Sequence, residues 1–182
     1  ERPKPKVHLL PIFYLKNETG VEEAVCDSTP LIRNFEQTLK NYRSVVPDES
    51  SLAFIDYLIE DYADEWITKA MFHYRWSYSA DIKKAGDMLP RWNNTTTPDA
   101  VIRDRSEEIA NLQISRLRYV GSNEVTRKTI EESFARFLHL LNEHLENFPF
   151  MLGGRPSACD FAIYGQLTCL ALFDPTPQAL IV

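Results

Sequence analysis

Apolar and polar residues follow two different rhythms along this chain. Over 8–15, the run His8-Leu9-Leu10-Pro11-Ile12-Phe13-Tyr14-Leu15 is apolar, aromatic and β-branched, which predicts a strand. Pro11 cannot donate to a ladder, so it belongs at a strand start or on an edge. Asn17-Glu18-Thr19-Gly20 reads as a turn and Glu23-Ala24-Val25-Cys26 as a second short strand, which together make an antiparallel hairpin. The rhythm becomes helical at Asp27-Ser28-Thr29-Pro30, a capping residue followed by an early proline. Leu31, Ile32, Phe35 and Leu39 give this helix one apolar face, ending near residue 40.

Beyond a linker at 41–48 the pattern is helical throughout. Ser50 or Ser51 is expected to cap a long helix whose inward face carries Leu52, Ile55, Leu58, Ile59, Tyr62, Trp66, Ala70 and His73. Its other face is acidic: Asp56, Glu60, Asp61, Asp64 and Glu65. Such a run can serve proton transfer or hold a metal, but a solvated helix face is the favoured reading. After an Asn- and Thr-rich interruption at 90–98, a helix is predicted over 99–119 with Ile102, Ile109, Leu112 and Leu117 apolar. Another starts at Asn123 or Thr126 and runs through Ile130, Phe134, Phe137, Leu138, Leu141 and Leu145. Gly153-Gly154-Arg155-Pro156 then breaks the chain, and Ser157 stands three residues ahead of Asp160, the spacing of a capping box. The residues that follow, Phe161 to Phe173, are apolar nearly all round, which predicts a helix central to its domain.

Composition narrows the function classes. A chain of 182 residues that is 44% hydrophobic and 25% charged is an ordinary globular composition. Its net charge of −6 argues against a nucleic-acid surface as the main partner. No run approaches the roughly 20 apolar residues of a membrane span. Cys26, Cys159 and Cys169 show no metal-type pairing, so reduced thiols in a cytoplasmic protein are expected. His139 and His144 are five residues apart in a helix, off a shared face, and no metal site is expected. Asn17-Glu18-Thr19 and Asn93-Asn94-Thr95-Thr96 match the glycosylation sequon, but nothing else points to secretion.

Two features carry candidate chemistry. The stretch Trp66, Met71, Phe72, His73, Tyr74, Arg75, Trp76, Tyr78 reads either as helix–helix packing or as the wall of an apolar ligand pocket, with Arg75 as an anion contact. The second feature is the pair Leu10-Pro11 and Asp27-Ser28. A proline opening a strand is often cis, which exposes the N–H and C=O of the preceding residue to a ligand. Asp27-Ser28 at a helix start offers N–H groups, a hydroxyl and the positive end of the helix dipole to a carboxylate. Together they make a small site for an extended, peptide-like ligand.

These residues resemble the cytosolic glutathione S-transferase family. Leu10-Pro11, Asp27-Ser28, Thr29-Pro30-Leu31-Ile32 and Ser157-Ala158-Cys159-Asp160 stand in the family's order, and Gly153-Gly154-Arg155-Pro156 is similar to the loop before its central helix. The motifs are short, but the resemblance spans essentially the whole chain. It implies an α+β fragment. Residues 1–42 would be the C-terminal part of a thioredoxin-like domain, a β-hairpin plus helix, and 43–182 an all-helical domain.

The resemblance further implies glutathione as co-substrate. The Leu10 backbone beside Pro11 would pair with its cysteinyl part, and Asp27 and Ser28 would hold its γ-glutamyl carboxylate and amine. Trp66, Phe72, Tyr74, Arg75 and Trp76 would border the pocket for a hydrophobic electrophile. Ser157 and Asp160 would be a structural capping pair. The reaction would be attack of the glutathione thiolate, whose free pKa of roughly 8.5 must be lowered. The family's catalytic Tyr, Ser or Cys lies in a strand–helix–strand unit that this sequence would lack, as it would the end of the helical domain, so no catalytic residue is assigned. Tyr14 follows Pro11 and is on the wrong side of the motif. The family also implies a homodimer in the cytoplasm. The alternative is a non-catalytic relative that uses this fold for binding or dimerisation, and the long segment 80–120 suits either reading.

Overall fold

A computed structural model describes residues 2–7, 11–39, 42–92 and 94–181. The chain is α+β and mostly helical, with a two-stranded antiparallel hairpin followed by helices. It divides into two compact units, residues 1–46 and 47–182.

In the first unit, strand β1 (Ile12–Lys16) pairs with β2 (Glu22–Cys26) in the register Ile12 to Cys26 and Lys16 to Glu22. The predicted strand over 8–15 is thus shifted towards the turn. Residues 8–10 lie outside the described residues, and Pro11 sits in a bend just ahead of β1. The turn is fixed by Asn17, whose Oδ1 accepts from the Thr19 N–H (3.0 Å), the Thr19 hydroxyl (2.7 Å) and the Val21 N–H (3.0 Å). Gly20 completes it at φ 83°, a conformation that glycine adopts without a Cβ penalty. Helix α1 (Ser28–Thr38) follows, and an edge-on contact between Phe13 and Phe35, 6.1 Å between ring centroids, packs it on β1.

The second unit opens with α2 (Ser50–Tyr62), which a π turn (Ala63–Ile67) joins to α3 (Thr68–Ser77). The cap is Glu49 rather than Ser50 or Ser51. Its carboxylate accepts from the N–H groups of Ser51 (3.0 Å) and Leu52 (2.8 Å), and these bonds lower its pKa. Next come α4 (Ser79–Met88), α5 (Asp99–Arg116), which a 3₁₀ turn extends to Val120, and α6 (Arg127–Leu145). The chain closes with α7 (Ala158–Leu167), a second π turn (Thr168–Phe173) and the short α8 (Pro175–Gln178). The core is Ala63, Ile67, Ala70 and Tyr74 against Ile130 and Phe134 of α6, and Ile163 and Leu170 of the α7 region.

Two faces differ from the sequence reading. Along α2, the π turn and α3 the buried positions are Asp56, Glu60, Ala63, Ile67, Ala70, His73, Tyr74 and Trp76, whereas Leu52, Ile55 and Leu58 are exposed. Up to Ile67 the buried stripe is therefore displaced by about one residue, or roughly 100° of helix rotation, and the expected positions Ala70 and His73 do face inward. The cause is polar. Asp56 Oδ1 accepts the N–H of Cys159 (2.9 Å) in the first turn of α7, where a negative charge meets the positive end of the helix dipole. The acidic run is thus not a wholly solvated face. Nor is α7 buried all round: Ala158, Cys159 and Ile163 face inward, while Phe161 and Tyr164 are exposed.

The capping box at the head of α7 is present. The Asp160 carboxylate accepts from the Ser157 N–H (2.9 Å), the Ser157 hydroxyl (3.0 Å) and the Met151 N–H (2.8 Å), so one side chain ties both the helix start and the preceding loop. Asp160→Ala is expected to lower stability by about 0.5–2 kcal/mol and to leave ligand affinity of the folded protein unchanged. Urea unfolding alongside calorimetric titration checks this, and an affinity loss without a stability loss would assign Asp160 a different role. Burial pushes the adjacent Cys159 thiol up to about 12, which keeps it protonated and inert at neutral pH.

Candidate functional site

In the first unit, the candidate site lies at the junction of β2 and α1. Asp27 is the N-cap of α1 and stands at φ 78°, ψ 120°, the single non-glycine residue at positive φ among the described residues. Such a backbone costs on the order of 1–3 kcal/mol and persists where the surroundings over-determine it, as at ligand clamps. Its Oδ1 accepts from the Thr29 N–H at 3.3 Å. Asp27 and Ser28 are both exposed, so the start of an 11-residue helix, with the Ser28 hydroxyl and the positive end of the helix dipole, faces solvent. Pro11 is exposed ahead of β1, and Leu10 lies outside the described residues. The cross-strand pairing of Ile12 with Cys26 places the two chain segments carrying Pro11 and Asp27 at the same end of the hairpin.

The second unit distributes the aromatic stretch over several roles. Tyr74 is 3% exposed in the core, edge-on to Phe134 (5.7 Å) and stacked on Tyr78 (5.8 Å), and burial raises its pKa well above the ordinary phenol value. Trp76 is likewise buried and touches Phe72, 6.4 Å between ring centroids. Arg75 is not a free anion contact: its Nε and Nη2 donate to the two carboxylate oxygens of Asp174, each at 2.9 Å. Asp174 is fully buried, and the guanidinium also lies 4.8 Å from the Phe173 ring. Burial opposes the Arg75 charge, but the Asp174 bonds outweigh it and raise the Arg75 pKa. The neighbouring Asp81, also fully buried, accepts from the Thr176 N–H (3.0 Å) and hydroxyl, so two carboxylates fasten α3 and α4 to the α8 region. Trp66 stays at the surface, 38% exposed, its indole N–H held by the Ser133 hydroxyl at 2.7 Å.

Sequence reasoning missed a polar chain through His73. This residue, placed among the apolar positions of its helix, is 1% exposed. Its Nδ1 lies 2.7 Å from the Ser122 hydroxyl and its Nε2 3.0 Å from Glu131 Oε1, which also accepts from the Tyr78 hydroxyl. The order Ser–His–Glu is that of a nucleophilic triad, but the surroundings are those of a structural network. Ser122 is buried, and the N–H groups of Gly121, Ser122 and Asn123 are all bonded within the loop, to Arg118, Leu117 and Thr126. These three N–H groups are therefore not available to an oxyanion. Burial works against the Glu131 charge, but the bonds from Tyr78 and His73 lower its pKa overall.

Further concavities lie among the described residues of the second unit. One, of about 450 Å³, is walled by apolar side chains of α6 and α7, among them Leu141, Leu145, Phe161 and Tyr164. Another, of about 490 Å³, lies between α6 and the end of the chain, against Leu138, Asn142, Ala171 and Leu180. A further one, of about 410 Å³, lies against Trp66, Lys69, Tyr119 and Thr129. No group of three or more His, Cys, Asp or Glu among the described residues could hold a metal ion. No helix among them is long and apolar enough to cross a membrane. No protein-family model matches the chain, and no curated protein or solved structure does.

Proposed function

We propose that this chain is a glutathione transferase-like protein that binds glutathione at the β2–α1 junction and conjugates it to a hydrophobic electrophile. The observation that supports this best is the backbone of Asp27. An exposed residue at φ 78° opens α1 beside the exposed Ser28 hydroxyl, where the helix dipole favours a small carboxylate, and the energetic cost of that conformation argues for a functional use. On this reading residues 1–42 would be the C-terminal part of a thioredoxin-like domain and 43–182 the helical domain, with α7 as its central capped helix. The half-exposed members of the α3 aromatic stretch would meet the co-substrate, and two copies would associate in the cytoplasm.

Glutathione is expected to bind the full chain saturably, and Ser28→Ala to weaken it by the roughly 1–3 kcal/mol of an unpaired polar contact, about five- to 150-fold in Kd. Isothermal titration calorimetry reads both. Equal affinity in the two proteins removes the β2–α1 junction from the proposal, and no heat with either removes glutathione.

A further inference from the structure

We infer that the concavity between the start of α3 and the loop ahead of α6 is a binding site for a small, planar aromatic carboxylate. It belongs to residues 47–182 alone and holds whether or not the first unit binds glutathione.

The site has a volume of about 410 Å³, within the roughly 300–1,000 Å³ of small-molecule pockets. Two aromatic rings flank it, Trp66 and Tyr119, and both are held from outside. The Trp66 indole N–H is fixed by Ser133 at 2.7 Å. The Tyr119 hydroxyl accepts from Arg118 Nη2 at 2.9 Å, with that guanidinium 4.8 Å from its ring. The floor is equally constrained: Gly121 takes φ 73°, and Thr126 Oγ1 donates to its carbonyl and accepts from the Asn123 N–H (3.1 Å). A Trp66 ring tied to α6 before the ligand arrives reduces the entropic cost of binding.

The charge of the site is Lys69. Its ammonium lies 5.8 Å from the Trp66 ring, and no carboxylate among the described residues pairs with it. Glu65, four residues earlier in the π turn, makes no ion pair with it and does not line the site. The exposed Thr129, which carries a hydroxyl, also lines the site. A flat ring between Trp66 and Tyr119 with an anionic oxygen at Lys69 and Thr129 uses each of these groups. A bulky apolar molecule leaves the ammonium unused, and a bare anion leaves the rings unused.

The test is titration of the full chain with 2-naphthoate and with its neutral isostere 2-naphthamide, followed by calorimetry and tryptophan fluorescence. With about 13 non-hydrogen atoms, naphthoate is expected to saturate at or below about 1 mM, and naphthamide to bind about tenfold more weakly. Lys69→Gln should abolish that preference, Lys69→Arg should keep it, and Tyr119→Ala, at a position 73% exposed and tolerant of change, should weaken both probes. Circular dichroism confirms that each variant is folded. The inference is overturned if naphthoate fails to saturate by about 10 mM, a concentration corresponding to under 3 kcal/mol. Equal binding of the two probes, or an unchanged preference in Lys69→Gln, overturns it as well. Because glutathione titration reads the first unit and naphthoate the second, the two proposals fail independently.

Discussion

Asp174→Ala is expected to destabilise the folded chain by about 3–5 kcal/mol, the usual consequence of removing one partner from a buried ion pair. Asp174 is fully buried and the Arg75 side chain is 11% exposed, so the change leaves a guanidinium in the interior with two N–H groups unpaired. It also removes one of the two ties on the region beyond α7, because the Arg75–Asp174 pair joins α3 to the segment that opens α8 while Asp81 holds Thr176. For a chain of this size the melting temperature should fall by roughly 6–20 °C. The pair is a constraint more than a net source of stability, since desolvating two charges offsets most of their attraction. The double variant Arg75→Met/Asp174→Leu should therefore recover much of the loss. Thermal and urea unfolding of the three variants decides it. A loss under about 1 kcal/mol in Asp174→Ala would show that water reaches the pair.

Asp56→Ala should be the next most damaging change, lowering stability by about 3 kcal/mol. The change strands the buried Cys159 N–H, at roughly 1–3 kcal/mol, and removes a carboxylate from the start of α7, at up to about 2 kcal/mol in a partly buried geometry. Asp56→Asn keeps an acceptor and should lose only the second part. If the two substitutions prove equally harmful in urea denaturation, charge at the helix terminus is the whole effect. If both are harmless, α2 does not dock on α7 through this side chain.

The elements were largely legible in the sequence because each is specified locally. Asn17-Glu18-Thr19-Gly20 turns the hairpin through bonds within the turn itself, and Ser157 and Asp160 close a capping box three residues apart. The inward face of α2 was not legible, since apolar periodicity places Leu52, Ile55 and Leu58 inside, whereas the partner of Asp56 lies 103 residues away in sequence. Arg75 illustrates the same limit. Beside aromatic residues it reads as an anion contact, but its anion is Asp174, 99 residues further on. His73, read as one more apolar position, has its partners Ser122 and Glu131 49 and 58 residues away.

Of the candidate sites, the Asp27-Ser28 junction could be reached from sequence because a capping residue, a hydroxyl and a helix start are adjacent. The positive φ of Asp27 could not, since a backbone strained against its own preference is imposed by the hairpin and helix it connects. The Trp66–Lys69–Tyr119 concavity left no trace in the sequence, because α3 and the turn after α5 are separated by some 50 residues and neither has a motif. The sequence by itself therefore determined a hairpin, an order of helices and the caps at Asp27 and at Ser157 with Asp160, all set by interactions a few residues apart. Only the tertiary structure decided which helix faces are buried, which charges are paired and which aromatic rings meet a free ammonium. Those outcomes depend on side chains that fold together from distant parts of the chain, where burial makes one hydrogen bond or charge outweigh the local apolar pattern.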